Sequence, residues 1–294
     1  MAEKTLIVIT GPTASGKSAL AIDMARQLDT EIISADSRQL YRDIPIVTAQ
    51  PSEPERQGIK HHLMGCLSLT DYYSAAKFEE DALRIIDEIF RQRDTAIVCG
   101  GSMLYIDALC YGIDELPTVP EVLRNALAIL HHEKGDSWLL ERLERLDPTT
   151  ARTIDRNNIK RIFHAVEISL AAGKPYSSLL TGKRKTRPFN IRKIILQGER
   201  ETLFSRINRR VEKMIENGLI EEARRVYPLR GLNSLNTVGL KELFSYFDGE
   251  MTLETAIARI QKNTRVFAKK QLTWLARDIH TDSYIKTEIF PFTL

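Results

Sequence analysis

Hydrophobic residues along the chain alternate between short continuous runs and longer periodic stretches. Apolar runs at 5–10, 31–34 and 95–99 are typical of buried strands, and an amphipathic helical pattern covers about 74–93. Another helical pattern begins at Ser15, directly after the first run. Strands that alternate with helices predict an α/β protein with a parallel sheet, whose ligand crevice lies at the carboxyl ends of its strands.

Beyond about residue 116 the pattern changes to helices alone. Helical stretches are predicted at about 120–133, 136–146 and 158–172, and a basic link from Thr181 to Arg187 then leads to one more strand, Ile191 to Gln197. Two long helices follow, at about 203–214 and 252–277. We therefore expect a helical insertion domain at 118–188 within a catalytic core formed by 1–117 and 189–294.

Composition fits a folded protein that contacts no membrane. The chain has 294 residues, 43% of them apolar, with no run of eighteen apolar residues, and its first strand begins within five residues of the start. The cysteines, Cys66, Cys99 and Cys110, lack the spacing of a disulfide framework or a zinc site. We expect a cytoplasmic monomer.

The charge distribution is more informative than the net charge of +3. Residues 51–150 hold 10 Lys/Arg and 18 Asp/Glu, whereas residues 151–213 hold 16 Lys/Arg and 5 Asp/Glu. A cationic stretch of this size is typical of a polyanion-binding protein, although a solvated basic surface gives the same count.

A phosphate-binding loop follows the first predicted strand. Its glycines, Gly11 and Gly16, allow backbone N–H groups to turn toward phosphate oxygens, Lys17 adds a positive charge, and Ser18 offers a hydroxyl to Mg²⁺. The strand before the loop and the helix after it complete an anion site. All eight residues are candidates for phosphate contact: Gly11, Pro12, Thr13, Ala14, Ser15, Gly16, Lys17 and Ser18.

Asp36 is the carboxylate best placed to act beside this loop, because it follows the second apolar run. The run 95–99 ends in Gly100-Gly101, without the acidic residue that holds magnesium in nucleotide hydrolases. Asp36 could be a metal ligand, a base for a substrate hydroxyl as in small-molecule kinases, or a base for another nucleophile. His61-His62 could suggest a metal site, but a packing or RNA-contact role is favoured because no Cys, Asp or Glu has suitable ligand spacing.

Nearly the whole chain, from residue 5 to about 278, resembles the tRNA dimethylallyltransferases (IPP transferase family). The resemblance rests on motifs that occur in the family's order: the loop 11–18, Asp-Ser-Arg-Gln-Leu-Tyr at 36–41, His-His-Leu at 61–63, Tyr-Ser-Ala-Ala-Lys-Phe at 73–78, Gly-Gly-Ser-Met-Leu-Tyr at 100–105, Asp-Pro at 147–148, Thr-Val-Gly at 237–239 and Lys-Gln-Leu-Thr-Trp at 270–274. It implies a P-loop NTPase-like core that transfers a dimethylallyl group from its diphosphate to N6 of the adenosine next to the tRNA anticodon, usually adenosine 37.

The family reaction gives each motif a role. Asp36 would remove a proton from the adenine amine, while Lys17, backbone donors and Mg²⁺ on Ser18 would stabilise the leaving diphosphate. An arginine of the later helix would also hold the diphosphate, with Arg210 the first choice and Arg206 the second. Residues predicted to contact the anticodon stem-loop are Asp36, Ser37, Arg38, Gln39, Ser102, Arg124, Lys160, Arg161, Ile162, Phe163, His164, Asn236, Thr237, Val238, Gly239, Leu240 and Lys241.

Two other functions share parts of this pattern. A small-molecule or nucleoside kinase would use the loop, Asp36 and magnesium but would not need a basic insertion. A catalytically silent tRNA-binding protein would keep the fold without turnover. The family often has arginine in place of His164 and tyrosine in place of Leu240, so an altered tRNA preference also remains open.

Overall fold

A computed structural model describes residues 3–278. The chain divides into two compact units, one formed by Met1–Tyr111 with Thr186–Leu294 and the other by Gly112–Lys185. None of the helices within the described part has the length and apolar character needed to cross a lipid bilayer.

The first unit contains five strands and eight helices among its described residues. In chain order these are β1 (Thr5–Thr10), α1 (Lys17–Gln27), β2 (Ile32–Ser34), α2 (Glu53–Arg56), β3 (His61–His62), α3 (Ala75–Phe90), β4 (Thr95–Gly100), α4 (Met103–Tyr111) and, after the second unit, β5 (Asn190–Ile195), α8 (Arg200–Glu216), α9 (Leu219–Val226), α10 (Leu240–Phe247) and α11 (Leu253–Leu275). The second unit contains α5 (Glu121–Leu146), α6 (Pro148–Thr153) and α7 (Ile159–Ala172).

The strands form one parallel sheet in the order β3-β2-β4-β1-β5. β4 is the central strand, and β1 lies between β4 and β5, with its Ile7 opposite Ile97 of β4 and Arg192 of β5. Consecutive residues of β1 point to opposite faces of the sheet. Val8 and Ile9 are nevertheless both buried, because helices cover both faces of a parallel sheet. The predicted fold class is therefore confirmed, and β3 is a short edge strand that the apolar pattern did not predict.

The parallel arrangement brings three loops to one edge of the sheet. β1, β2 and β4 all end there, so the phosphate loop, Asp36 and the Gly100-Gly101 turn leave the sheet side by side. Gly100 allows the closest approach, because a Cβ at this position would lie 2.1 Å from the carbonyl oxygen of Ala35. Glycine at position 100 therefore allows the ends of β2 and β4 to approach each other closely.

The second unit is a small helical domain with its own core. α5 bends at Gly135, where φ is +81°, so the two predicted helices at 120–133 and 136–146 meet at this residue. Leu139, Leu143 and Ile162 are fully buried in the core of the unit. Asp147, which is also fully buried, caps α6. Burial alone would raise the pKa of Asp147, but hydrogen bonds from Thr150 and Ser177 lower it.

Candidate active site

The phosphate loop is folded as an anion-binding turn. Gly16 has a φ of +92° and Ala14 a φ of +62°, and the amide of Ser15 donates to the carbonyl oxygen of Pro12 at 3.2 Å. α1 begins at Lys17, so its unpaired N-terminal amides lie at the loop. The hydroxyl of Ser15 is buried and has no hydrogen-bond partner among residues 3–278. An anion bound in the loop would supply the partner that this hydroxyl lacks.

Two cations meet at the loop without an opposing salt bridge among the described residues. Lys17 Nζ donates to the Pro12 carbonyl oxygen at 3.3 Å, and Arg210 Nη1 donates to Thr13 Oγ1 at 3.1 Å. Burial lowers the pKa of Lys17, and the charge of Arg210 lowers it further against the opposing effects of Cys99 and Asp36. Burial also lowers the pKa of Arg210. Both positive charges are therefore costly in the free protein and favour a bound anion.

Asp36 lies in the same cavity, directly after β2. Its Oδ1 accepts hydrogen bonds from the amides of Arg38 at 2.9 Å and Gln39 at 3.4 Å, and its Oδ2 accepts none from residues 3–278. One oxygen thus holds the carboxylate in place while the other can accept a proton. Asp36 shares the cavity lining with Lys17 and Arg210, so the base candidate and the phosphate-binding cations face one space.

The cavity is lined by both polar and apolar residues. The polar lining consists of Thr13, Lys17, Ser18, Ser34, Asp36, Gln39, His61, Arg210 and Gln271, and the remainder of Ala21, Ile32, Ala49, Pro51, Met64, Cys99, Gly100 and Phe267. Phe267 is 43% exposed despite its size, and it contributes an aromatic surface at the cavity. Such a cavity can hold a phosphorylated group together with a short hydrocarbon.

Ser102 joins the fourth strand end to the Asp36 segment. Its Oγ accepts a hydrogen bond from the Ser37 amide at 2.8 Å, and its own amide donates to the Ala35 carbonyl oxygen at 3.1 Å. The hydroxyl proton of Ser102 remains available to a ligand. Ser102 therefore lies beside the segment that contains Asp36.

Arg38 and Gln39 hold loops together. The Arg38 guanidinium donates to the carbonyl oxygens of Asn233 at 2.8 Å, Ser234 at 3.0 Å and Asn236 at 3.2 Å. The Gln39 amide group donates to two carbonyl oxygens in the segment 48–49. Arg38 therefore links the Asp36 segment to Asn236, the first residue of the predicted contact segment 236–241, and Gln39 links it to the segment 48–49.

Within the segment 236–241 the residues differ in accessibility. Asn236, Thr237 and Val238 are partly exposed and Lys241 is exposed, whereas Gly239 is buried with a φ of +101°. Leu240 is fully buried, so its side chain supports the segment and has no surface to offer a ligand.

The remaining tRNA-contact candidates belong to the second unit. Glu167 binds two of them, Arg124 at 2.9 Å and His164 at 3.0 Å. Lys160 and Arg161 are exposed at the start of α7. Phe163 packs partly buried against the core, and Ile162 is fully buried in it. Ile162 thus packs inside the unit, and only its neighbours along α7 face solvent.

Of Arg206 and the histidine pair, only His61 lines the cavity. Arg206 is one turn before Arg210 on α8 and does not line the cavity. His61 lines the cavity and its Nδ1 bonds the Ile59 carbonyl oxygen at 2.9 Å, while His62 Nε2 bonds Glu31 at 2.6 Å. In the part of the chain that the structure describes, no three His, Cys, Asp or Glu side chains form a metal-binding group.

Gln271 of α11 is a site residue that the sequence did not single out. Its Oε1 accepts from the Thr13 amide at 2.9 Å, and its Nε2 donates to the Gly101 carbonyl oxygen at 2.9 Å. The signal available in the sequence was its place in the motif Lys-Gln-Leu-Thr-Trp at 270–274, which carries no information about its contacts.

Together the fold and the cavity define a P-loop transferase. A phosphate loop follows β1 and a carboxylate follows β2, and β4, which lies between these two strands, ends in a glycine where a nucleotide hydrolase would place its metal-binding acid. Residues 39–278 match the IPP transferase family. The chain belongs to this family.

Relatives with assigned functions agree with the family match. The chain is 50% identical over 274 residues to tRNA dimethylallyltransferase 2 of Parabacteroides distasonis. This alignment covers 93% of this chain and 92% of that protein. It is 49% identical over 274 residues to tRNA dimethylallyltransferase of Christiangramia forsetii, with 93% and 90% covered.

Solved structures give the same result. The full-length tRNA isopentenylpyrophosphate transferase of Bacillus halodurans has a TM-score of 0.71 at 34% identity, covering 99% of this chain and 92% of the other. A eukaryotic dimethylallyltransferase acting on tRNA has a TM-score of 0.82 at 28% identity, covering 96% and 74%.

Proposed function

We propose that the protein transfers a dimethylallyl group from dimethylallyl diphosphate to N6 of adenosine 37, next to the anticodon of tRNA. The observation that carries this function is the shared cavity of Lys17, Asp36 and Arg210 at the ends of β1 and β2. The cations face a leaving anion, and the carboxylate with its unoccupied Oδ2 faces a nucleophile that must lose a proton. Alkyl transfer to an amine uses both groups, the cations to stabilise the leaving diphosphate and the carboxylate to remove a proton.

In the proposed reaction, N6 of the adenine attacks C1 of the dimethylallyl group. The bond between C1 and the diphosphate oxygen breaks, and its electron pair leaves with the diphosphate. The N6 proton passes to Asp36, whose Oδ1 stays bound to the amides of Arg38 and Gln39. Charge that grows on the diphosphate is stabilised by Lys17, Arg210 and the amides of the loop.

The target adenine must leave its stack to reach this cavity. Ser102 has a hydroxyl proton to donate beside the Asp36 segment, and Arg38 of the same segment bonds the carbonyl oxygen of Asn236, which supports a role for the segment 236–241 in holding the RNA. The apolar lining residues, which include Ile32, Met64 and Phe267, would cover the hydrocarbon chain and exclude water from the carbon that is attacked.

Magnesium fits the residues at the loop. Ser18 is exposed and lines the cavity beside Lys17, and P-loops bind Mg²⁺ through one hydroxyl together with phosphate oxygens and water. When bound there, Mg²⁺ supplies charge stabilisation for the diphosphate. The buried, unpartnered hydroxyl of Ser15 also suits a phosphate ligand.

The RNA contacts proposed for the second unit are Arg124, Lys160, Arg161, Phe163 and His164. Lys160 and Arg161 are exposed, and Arg124 and His164 are held by Glu167, so four of them can offer positive charge or hydrogen-bond donors to RNA. The monomeric state and the cytoplasmic location stay predictions.

A direct assay tests the proposal. The protein is incubated with unmodified tRNA, Mg²⁺ and either dimethylallyl diphosphate or ATP, and the nucleosides are analysed by mass spectrometry. We expect a prenylated adenosine with the first donor and no phosphate transfer with the second. Transfer of phosphate from ATP without a prenylated adenosine would indicate a kinase, and tRNA binding without turnover would indicate a silent binding protein.

A further inference from the structure

The side chain of Gln271 bridges the two halves of the site. It is 3% exposed, its Oε1 accepts from the Thr13 amide, and its Nε2 donates to the Gly101 carbonyl oxygen, both at 2.9 Å. Thr13 belongs to the phosphate loop, and Gly101 begins the turn that carries Ser102. One amide group therefore spans the distance between the diphosphate side and the adenine side.

Both contacts of Gln271 lie next to residues that act in the proposed reaction. Thr13 Oγ1 accepts from Arg210 at 3.1 Å, so the phosphate-binding arginine is attached to the same loop residue. On the other side, Ser102 binds the Ser37 amide at 2.8 Å, directly after Asp36. A shift of Gln271 would change the distance between the leaving group and the base.

The turn is shaped around this amide. A Cβ on residue 101 would lie 2.4 Å from Gln271 Nε2, so only glycine permits the bond to the carbonyl oxygen. The two contacts also need both an acceptor and a donor in one planar group, which an amide provides and a carboxylate or an apolar chain does not.

We propose that Gln271 is a positioning residue, which sets the separation between the phosphate loop and the Ser102–Asp36 turn for the transfer reaction. It touches neither reacting atom and acts through the loop and the turn. The inference rests on the proposed function, since the separation matters for a reaction in which leaving group and base act on opposite sides of one carbon.

The test compares Gln271→Met with a matched control. Methionine has similar length but can neither accept from Thr13 nor donate to Gly101. Trp274→Phe is the control, because it removes a hydrogen bond of the same helix, from Trp274 Nε1 to Asp107 at 3.0 Å, without touching the loop or the turn. Folded protein is quantified by thermal unfolding before each measurement.

Three quantities are measured for each variant: the single-turnover rate of prenyl transfer, the Kd of tRNA and the Kd of inorganic pyrophosphate with Mg²⁺. For Gln271→Met we expect a rate about 10²-fold lower, the scale of a misplacement of about 1 Å, with weaker pyrophosphate binding and unchanged tRNA binding. For Trp274→Phe we expect all three to match the parent protein.

A pH profile of Gln271→Glu gives a second test. A protonated carboxyl can donate to the Gly101 carbonyl oxygen while its other oxygen accepts from Thr13, so we expect the rate relative to the parent protein to recover as the pH falls. A relative rate that does not change with pH, or a Gln271→Met rate equal to the control's, overturns the proposal.

The same measurements separate this proposal from the proposed function. If the parent protein binds pyrophosphate but makes no prenylated adenosine, the proposed function fails. Loss of pyrophosphate binding in Gln271→Met alone then still supports a role in positioning the loop. Equal pyrophosphate binding in both variants and the parent, without turnover, overturns the proposal as well.

Discussion

Replacement of Arg210 by methionine should separate activity from stability. The guanidinium lies partly buried at the phosphate loop, is bonded to Thr13 Oγ1 at 3.1 Å, and has a pKa that burial lowers. Without a bound anion, this charge is desolvated and poorly compensated. Methionine keeps much of the apolar stem and removes the charge.

The expected change in rate and the expected change in the free energy of unfolding have separate causes. Loss of one preorganised donor to a developing oxyanion costs about 10²–10³ in rate, or about 2.7–4 kcal/mol of transition-state stabilisation. Removal of a desolvated charge is neutral or stabilising, by about 1 kcal/mol or more in favourable cases. We therefore expect the activity of Arg210→Met to fall by that factor while its free energy of unfolding stays equal or rises.

The assay is single-turnover prenyl transfer together with urea unfolding. In the parent protein, pyrophosphate at a hundred times the parent's Kd should add about 2.7 kcal/mol to the free energy of unfolding. The same pyrophosphate concentration should add less to the free energy of unfolding of Arg210→Met. Arg206→Met is the matched control, because it lies one helical turn earlier, is also partly buried, and does not line the cavity.

Two results would refute this reasoning. A rate for Arg210→Met within a few fold of the parent would show that the guanidinium does not hold the leaving group. Equal losses in Arg210→Met and Arg206→Met would assign the effect to the general charge of α8 instead of the contact at the loop.

Three further predictions concern pH, stability and RNA binding. Burial lowers the pKa of Lys17 below its ordinary 10.5, so pyrophosphate binding should weaken as the pH rises through that lowered value, and a calorimetric profile that is flat up to 10.5 would contradict this. Arg187→Ala should lower the free energy of unfolding in urea by about 3–5 kcal/mol, because it removes one member of a buried ion pair, the bond at 2.7 Å between Arg187 and Glu79; a loss under 1 kcal/mol would show that the pair is dispensable. Lys160→Gln with Arg161→Gln should reduce the slope of log Kd for tRNA against log salt by about 1–2, whereas Arg91→Gln, which alters an exposed residue of the first unit, should not change it.

The sequence was sufficient to predict a parallel sheet and four of the five strands found in the described residues, because buried parallel strands are continuous apolar runs. Thr5–Thr10 and Thr95–Gly100 match their predicted positions closely, and the rule that parallel strands share a carboxyl edge brought Asp36 to the loop. The edge strand His61–His62 was missed, since two polar residues carry no apolar pattern and pair with β2 through backbone alone.

The basic stretch at 151–213 shows where a count of charges is not enough. Arg187 is buried against Glu79, Lys193 is 4% exposed and bonds Tyr111, and Arg210 lines the cavity. These cations serve the interior of the first unit, so the surface available to RNA is smaller than the count suggests. Whether these cations are buried or exposed depends on contacts with residues about 80 to 200 positions away in sequence. Composition carries no information about such contacts.

The contacts of Gln271 and Arg38 could not be predicted for the same reason. Each bonds backbone atoms of a distant segment, and a backbone carbonyl gives no signal in the amino-acid sequence. Motif membership pointed to the neighbourhood, and only the fold assigned the partners.

The most direct test of the central claim is nucleoside mass spectrometry of unmodified tRNA after reaction with dimethylallyl diphosphate, for the parent protein and for Asp36→Asn. Asparagine keeps an oxygen that can accept from the amides of Arg38 and Gln39, but it cannot take up the N6 proton. We expect N6-dimethylallyl adenosine next to the anticodon with the parent protein, and a rate about 10²–10⁴-fold lower with Asp36→Asn at unchanged pyrophosphate affinity. Product at the parent rate from Asp36→Asn, or no prenylated adenosine from either protein, would contradict the account.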